Sequence, residues 1–250
     1  DIMCLTADTR SSTKAFFKDI ENFSAKNPKG KNLQCGIREI GASAIANGVE
    51  LMGIRTITST FLSFSNYMIP SIRMAALMNL SNIYVFTHDS VLVGEDGPTH
   101  QPIEQIEMLR QIPNLTVIRP CDRNEIIGAY KKAFTEKGPT AIILSKDILP
   151  MCEHTDINKT LEGGYILKQG EQDKVSIIAS GSEVSLALDI NSSLEKHMIP
   201  SRVISMPSLE EFEKLKPEEK EKILPKDTHK VVIELSSCTS SYKYLHQNDL

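Results

Sequence analysis

The first 150 residues alternate between short apolar runs and longer amphipathic ones, and that alternation restricts the fold more than any other feature. Strand-like runs are predicted at 33–36, 55–59, 83–86, 116–118 and 141–144. Between them, Ile37, Ile40, Ala44, Ile45, Gly48 and Met52 recur at helical spacing, and so do the apolar residues of 67–80. Further helices are predicted over 101–112 and 122–137, with Asn114 and Gly138-Pro139 as stops. Strands that alternate with helices have crossover connections, so the expectation is a parallel sheet covered by helices on both faces. After a polar loop near 150–164 the pattern resumes. Strands are predicted at 175–179, 203–206 and 231–235, a helix from Gly181-Ser182 to His197, and one highly charged helix over 210–222. The charge run of that last helix reads as a solvated face with i,i+4 pairs. The fold class is therefore α/β, with two three-layer parallel-sheet domains, one over 1–155 and a second over 156–250 that reads as incomplete.

The 250 residues carry a net charge of −4, which argues against non-specific nucleic-acid binding. No run approaches the roughly 18 apolar residues of a membrane span. The start, Asp1 to Cys4, has neither an initiating methionine nor the basic and apolar regions of a signal peptide, so the chain reads as processed or cropped. Five scattered cysteines with no Cys-x-x-Cys pair argue against a disulfide framework or structural zinc, and suit a reducing, cytoplasmic setting.

Residues 84–104, YVFTHDSVLVGEDGPTHQPIE, gather His88, His100, Glu95, Asp96, Gly94 and Gly97 into one short loop at a predicted strand end. Loops at strand ends are where α/β proteins place their chemistry, although Glu-Asp-Gly-Pro is also ordinary turn chemistry. A second segment, CGIREIGASAIANG over 35–48, puts a lone carboxylate, Glu39, where a helix begins. There it has an alternative reading as a first-turn glutamate favoured by the helix dipole. A third, STFLSFSNY over 59–67, repeats Phe61, Phe64 and Tyr67 every third residue, a spacing that serves a core as readily as a ligand pocket.

Together these segments resemble the transketolases, whose signature reads THDS followed by GEDGPTHQP and whose Gly-Ile-Arg-Glu and Thr-Phe-Leu-x-Phe-x-x-Tyr runs are similar. The resemblance covers nearly the whole chain, including GSEV at 181–184 and YLHQ at 244–247. It implies a pyrimidine-binding domain of a thiamine diphosphate enzyme followed by a transketolase C-terminal-like domain. The activity it implies is transfer of a two-carbon ketol unit from a ketose phosphate to an aldose phosphate through a thiamine diphosphate-bound dihydroxyethyl intermediate. Glu39 falls on the family's catalytic glutamate. Phe61, Phe64 and Tyr67 fall on the aminopyrimidine pocket. His88 and His100 match histidines that hydrogen-bond donor sugar and intermediate, with a satisfied structural role as the other reading for each. Asp96 matches an aspartate that reads a sugar hydroxyl. Lys146, in Leu-Ser-Lys, stands where the family has a phosphate-binding arginine, and keeps the charge without the bidentate geometry. The residue after the catalytic glutamate, usually histidine, is Ile40 here. A looser match over Leu5-Thr6 puts Cys4 at a family aspartate and Asp8 at a phosphate-binding serine.

The family's Gly-Asp-Gly motif for Mg²⁺ and diphosphate does not occur in the chain. The resemblance therefore implies a magnesium site supplied from elsewhere, a homodimer with sites at the subunit interface, and a fragment inactive alone. Two other readings stay open. One is a 1-deoxyxylulose-5-phosphate synthase or dihydroxyacetone synthase relative, against which the runs His88-Asp-Ser and Gly94-Glu-Asp weigh. The other is a non-catalytic module that keeps the fold.

Overall fold

The computed structural model describes residues 1–247 and 249–250. In chain order the elements are β1 (Ile2–Thr6), α1 (Arg10–Thr13), β2 (Asn32–Gln34), α2 (Glu39–Leu51), β3 (Arg55–Phe61), a 3-10 segment (Leu62–Met68), α3 (Ile69–Leu77), β4 (Ile83–Thr87), a 3-10 turn (Val91–Val93), α4 (Gln105–Arg110), β5 (Thr116–Ile118), α5 (Arg123–Thr135) and β6 (Thr140–Leu144). There follow α6 (Ile157–Thr160), β7 (Tyr165–Lys168), β8 (Val175–Ala179), α7 (Glu183–Lys196), β9 (Ser201–Ser205), α8 (Leu209–Phe212), α9 (Pro217–Ile223), β10 (His229–Ile233) and a 3-10 segment (Thr239–Tyr244).

The chain divides into two compact units, Asp1–Thr116 with Ala133–Lys146, and Val117–Lys132 with Asp147–Leu250. The first sheet runs β2-β1-β3-β4-β6-β5, and the pairings among β2, β1, β3, β4 and β6 are all parallel. Its central strand β4 is buried at every position, as a strand covered on both faces must be. β1 lies inside this sheet, between β2 and β3, yet was not among the predicted strands, because Ile2–Thr6 is a five-residue run without turn signals on its N-terminal side. Its Met3 and Leu5 pack with Ala46 of α2. The apolar stripe predicted for this helix is not its buried face. Ala42, Ser43, Ala46 and Asn47 are buried, while Ile37, Ile40 and Ile45 are exposed. Small residues let the helix lie close against the sheet, and Asn47 is held there by donating to the Ser71 carbonyl at 2.9 Å and accepting from Asn82 at 3.0 Å.

The second sheet runs β10-β8-β9-β7. β8 pairs in parallel with β10 and β9, but β7 is antiparallel to β9, so the sheet is mixed rather than parallel as expected. An antiparallel edge strand on a parallel sheet is a common α/β variant, and the Gly163-Gly164 pair sets it up. Gly163 has φ 83°, and a Cβ there would lie 2.3 Å from the Phe212 nitrogen. The single charged helix expected over 210–222 is also corrected. It is two short helices, α8 and α9, broken at Lys216, which is extended (φ −65°, ψ 149°) because the ring of Pro217 disfavours helical backbone in the residue before it. Inside this unit Arg119 is fully buried, and its guanidinium pairs with Glu183 at 2.8 Å and Glu234 at 3.1 Å. No described helix is long and apolar enough to cross a membrane.

Candidate active site

Strand register brings the candidate residues to one edge of the first sheet. Gln34, Thr6 and Ser59 are level across β2, β1 and β3, and Phe61, Thr87 and Leu144 are level across β3, β4 and β6. Parallel strands about 4.8 Å apart end together, so the residues that follow them emerge side by side. These are Phe64 after β3, His88 after β4 and Lys146 after β6.

His88 leaves β4 in the left-handed region, φ 63°, which a non-glycine residue adopts at some cost. The turn lays its imidazole against Phe61, with ring centroids 3.9 Å apart, and Thr87 Oγ1 meets its Nδ1 at 2.9 Å. Phe61, the last residue of β3, stacks on Phe64 of the 3-10 segment that follows, with ring centroids 5.8 Å apart. His100 stands edge-on to Phe64 at 5.1 Å and to Phe61 at 6.2 Å, with Thr99 Oγ1 at 2.8 Å from its Nδ1. Burial holds the His88 pKa below the ordinary histidine value, and the nearby positive charge of Lys146 adds to this. Asp96 and Asp89 pull the other way. That field places Lys146, Asp96 and His100 within electrostatic reach of His88. The Lys146 ammonium donates to the Val93 carbonyl at 3.2 Å and so ties the end of β6 to the loop. The loop is further held by Gln101 donating to the Val91 carbonyl at 2.9 Å, and Gly94 and Gly97 turn it at φ 80° and 77°.

Glu39 is the first residue of α2, and its carboxylate is buried at 8% exposure. Its one hydrogen bond among the described residues is long, accepted from Thr60 Oγ1 at 3.5 Å. Thr60 precedes Phe61 at the end of β3, so that strand end sets both the carboxylate's partner and the cluster of Phe61, Phe64, His88 and His100, although consecutive strand side chains point to opposite faces. A buried carboxylate with so little donation has room for a ligand donor. Asp96 lies exposed in the loop. Tyr67 is 63% exposed and is not brought to the Phe61–Phe64 pair.

Two features escaped sequence reasoning. Thr60 carried no signal beyond its place next to Phe61. At the ends of β1 and β2 lies a cavity of about 390 Å³ lined by Asp8, Arg10, Ser11, Phe16, Gln34 and Gly36, among others. Arg10 lies over the Phe16 ring at 4.2 Å and donates to Asn22 at 2.8 Å. A single arginine in a polar stretch gives no pattern to find. Of the two residues in the looser N-terminal match, Asp8 lines this cavity, whereas Cys4 is buried within β1, where loss of water raises its thiol pKa to about 11.

Comparison with known proteins decides the family. Residues 1–151 match the transketolase pyrimidine-binding domain, and residues 163–250 match the transketolase-like C-terminal domain. The chain belongs to the transketolase family. It is 44% identical over 254 residues to the transketolase of Halalkalibacterium halodurans, an alignment that takes in 98% of this chain and 38% of that protein. The fold is similar to that of Pichia stipitis transketolase in complex with sedoheptulose-7-phosphate, with TM-score 0.94 and 36% identity over 98% of this chain and 37% of that one. It is also similar to a split-gene transketolase described as an inactive β4 tetramer, with TM-score 0.73 and 28% identity over 93% of this chain and 73% of that one. The chain thus spans well under half the length of the first two relatives.

Proposed function

We propose that this chain supplies the pyrimidine-binding half of a transketolase active site, in a protein that moves a two-carbon ketol unit between phosphorylated sugars. The observation that carries the proposal is the buried, weakly partnered carboxylate of Glu39 at the end of β3, the strand whose last residue, Phe61, pairs with Phe64. A flat heteroaromatic ring with a nitrogen to bind needs such a pocket. Thiamine diphosphate, when bound, supplies the carbon centre that takes up electrons as the donor's carbon–carbon bond breaks. Glu39 would hold a proton between itself and the aminopyrimidine ring. Phe61 and Phe64 would hold the ring flat, and Tyr67 would join them only if bound cofactor or a partner chain reached its exposed side. His88 and His100 face the same strand end, and their imidazoles would hydrogen-bond and exchange protons with sugar hydroxyls. A lowered pKa keeps His88 neutral near pH 7, so it can both accept and donate. Asp96 would read a sugar hydroxyl, and Lys146 would anchor the sugar's phosphate.

Magnesium ligands and the diphosphate site would come from another part of the protein or another chain. We infer a homodimer that brings the two halves together, a cytoplasmic location, and a boundary between the two family domains near residue 155. The split-gene relative is an inactive assembly, and the 250 residues alone are expected to be inactive too. The protein at its natural length, given thiamine diphosphate and Mg²⁺, should transfer ketol units from a ketose phosphate to an aldose phosphate in a coupled assay. The 250-residue chain should not, and calorimetry should show poor cofactor binding. No transfer by the natural-length protein, or full turnover by the isolated chain, would refute the assignment.

A further inference from the structure

The second unit contains a close cysteine pair that the proposed chemistry does not use. Cys121 lies in the turn between β5 and α5, and Cys152 lies in the loop after β6. These stretches belong to the two separate pieces of chain that build the unit. One ligand-type atom from each of Cys121, Asp122 and Cys152 lies within 4.8 Å of the other two, so the sulfurs are neighbours. Both cysteines are free thiols, and Cys152 packs against the apolar cluster that contains Cys121.

The pair is held in place by Asp122. Its Oδ1 accepts from the backbone N–H groups of Asn124 (2.9 Å) and Glu125 (3.1 Å) and so caps α5. Its Oδ2 accepts from Thr155 Oγ1 (2.7 Å) and from the backbone N–H of Cys152 (3.2 Å), which pins the second segment against the first. Four donors fill the roughly four lone-pair sites of a carboxylate. Asp122 therefore has no capacity left to serve as a third metal ligand, and the two thiols are left to each other. Cys121 is 2% exposed, while Cys152 is half-buried in the wall of a cavity of about 420 Å³ also lined by Met151, His154, Lys168 and Ser185. Cys152 is the more open of the two and Cys121 the more deeply buried.

We propose that Cys121 and Cys152 form a reversible disulfide under peroxide, with Cys152 as the attacking thiol and Cys121 as the resolving one. The Cys152 thiolate attacks one oxygen of hydrogen peroxide, the O–O bond breaks, and Cys152 becomes a sulfenic acid as hydroxide departs. The Cys121 sulfur then attacks the Cys152 sulfur. The S–S bond forms, the S–O bond breaks, and the Cys121 proton leaves with the hydroxide as water. Two thiols and one peroxide give one disulfide and two waters. Polarity supports this order. The neighbouring Cys121 thiol lowers the Cys152 pKa against the opposing effects of burial and of the Asp122 and Glu125 carboxylates. The Cys152 thiol, with burial, raises that of Cys121. The bond would join the two pieces of the second unit covalently, closing a loop that contains α5 and β6.

The test is peptide mapping of the natural-length protein after hydrogen peroxide, with dithiothreitol-treated protein as reference. Wild type should lose alkylation at Cys121 and Cys152 together and yield one linked peptide containing both, reversed by dithiothreitol. Cys121→Ala should yield no linked peptide and a dimedone adduct at Cys152. Cys152→Ala should yield neither. Failure of the linked peptide to form in folded wild type would overturn the proposal, as would linkage of either residue to a different cysteine. So would stoichiometric zinc that protects both thiols in the purified protein. The wild-type map stands even if a variant fails to fold, and it does not depend on ketol transfer.

Discussion

Replacing Glu39 by glutamine separates the chemistry of this carboxylate from its part in the fold. Glutamine has the same shape, so packing at the start of α2 is kept. The native carboxylate is buried and accepts one hydrogen bond among the described residues, at 3.5 Å from Thr60. So long a contact contributes little, and Thr60 can still donate to the amide oxygen. A buried acceptor left short of donors costs about 1–3 kcal/mol, and an amide is less costly to bury than a carboxylate. Part of that cost is returned by the substitution and part is lost in seating the new N–H groups, for a net change near zero or a gain of ~1 kcal/mol. That corresponds to an unchanged Tm or a rise of about 2–4 °C for 250 residues, and to a smaller rise in a longer natural chain. Turnover should behave differently. Glutamine cannot share a proton with the aminopyrimidine ring as a carboxylic acid does, and proton help of this kind is worth about 10²–10⁴-fold. The assay is ketol transfer by the natural-length variant at saturating thiamine diphosphate, with a thermal melt on the same sample. Near-normal turnover would remove Glu39 from the mechanism. A fall in turnover matched by a fall in Tm would mean that the carboxylate serves the fold.

Lys146→Ala should raise KM for phosphorylated acceptors by about 10-fold, from the loss of one charge-assisted hydrogen bond, and leave glycolaldehyde almost unaffected; equal effects on both would place the lysine's role in its bond to the Val93 carbonyl instead. Gly163→Ala should destabilise the second unit by at least ~2 kcal/mol in a denaturant titration, because φ is positive and the new methyl would meet backbone atoms of the Phe212 turn. Glu213 is exposed, and its partial loss of water works against the charged form, but hydrogen bonds from Lys220, Lys243 and Tyr244 hold its pKa at about 2. A depressed carboxylate pKa stabilises the fold above the ordinary value of 4.5, and that stabilisation drains away as pH falls towards 2. Glu213→Gln should therefore flatten the Tm-against-pH curve between those limits, modestly because water screens so open a site; an unchanged curve would show that the contacts contribute nothing.

How much was legible in the sequence depended on whether a segment's signal was local. Thr116–Ile118 and Val175–Ala179 are strands at the predicted residues, since short β-branched runs between turn signals have few other options. The motif residues converge because parallel strands end at one edge, a consequence of the α/β pattern itself. Three things were not local. The direction of β7 depends on Gly163 approaching the Phe212 turn, nearly fifty residues away in sequence. The partition of α2 depends on which face meets the sheet, and the sheet selects Ala42 and Ala46 over the larger isoleucines. The placement of Tyr67 depends on which side of the 3-10 segment is buried, and that side carries Leu62, Ser63, Ser65 and Met68. The break at Lys216 is a different case, because Pro217 was visible and the helical charge pattern was given more weight than it should have carried.

The exposed isoleucines at and just before the start of α2 bear on the chemistry as well as on the fold. Ile37 is 79% and Ile40 53% exposed, and they flank Glu39 in sequence, where the buried carboxylate begins the helix. Apolar side chains of this size gain about 1.5–3 kcal/mol each when fully buried. A helix that leaves several of them in water, while turning its small residues inward, presents a face suited to another protein surface. The proposed homodimer would meet that need beside the pocket itself. Covering Ile37 and Ile40 would exclude water from the first turn of α2, and a drier surrounding strengthens any hydrogen bond that Glu39 makes to a ligand. On this reasoning assembly and catalysis would be coupled through a single helix, whose outward face would drive association and whose first residue would handle the proton.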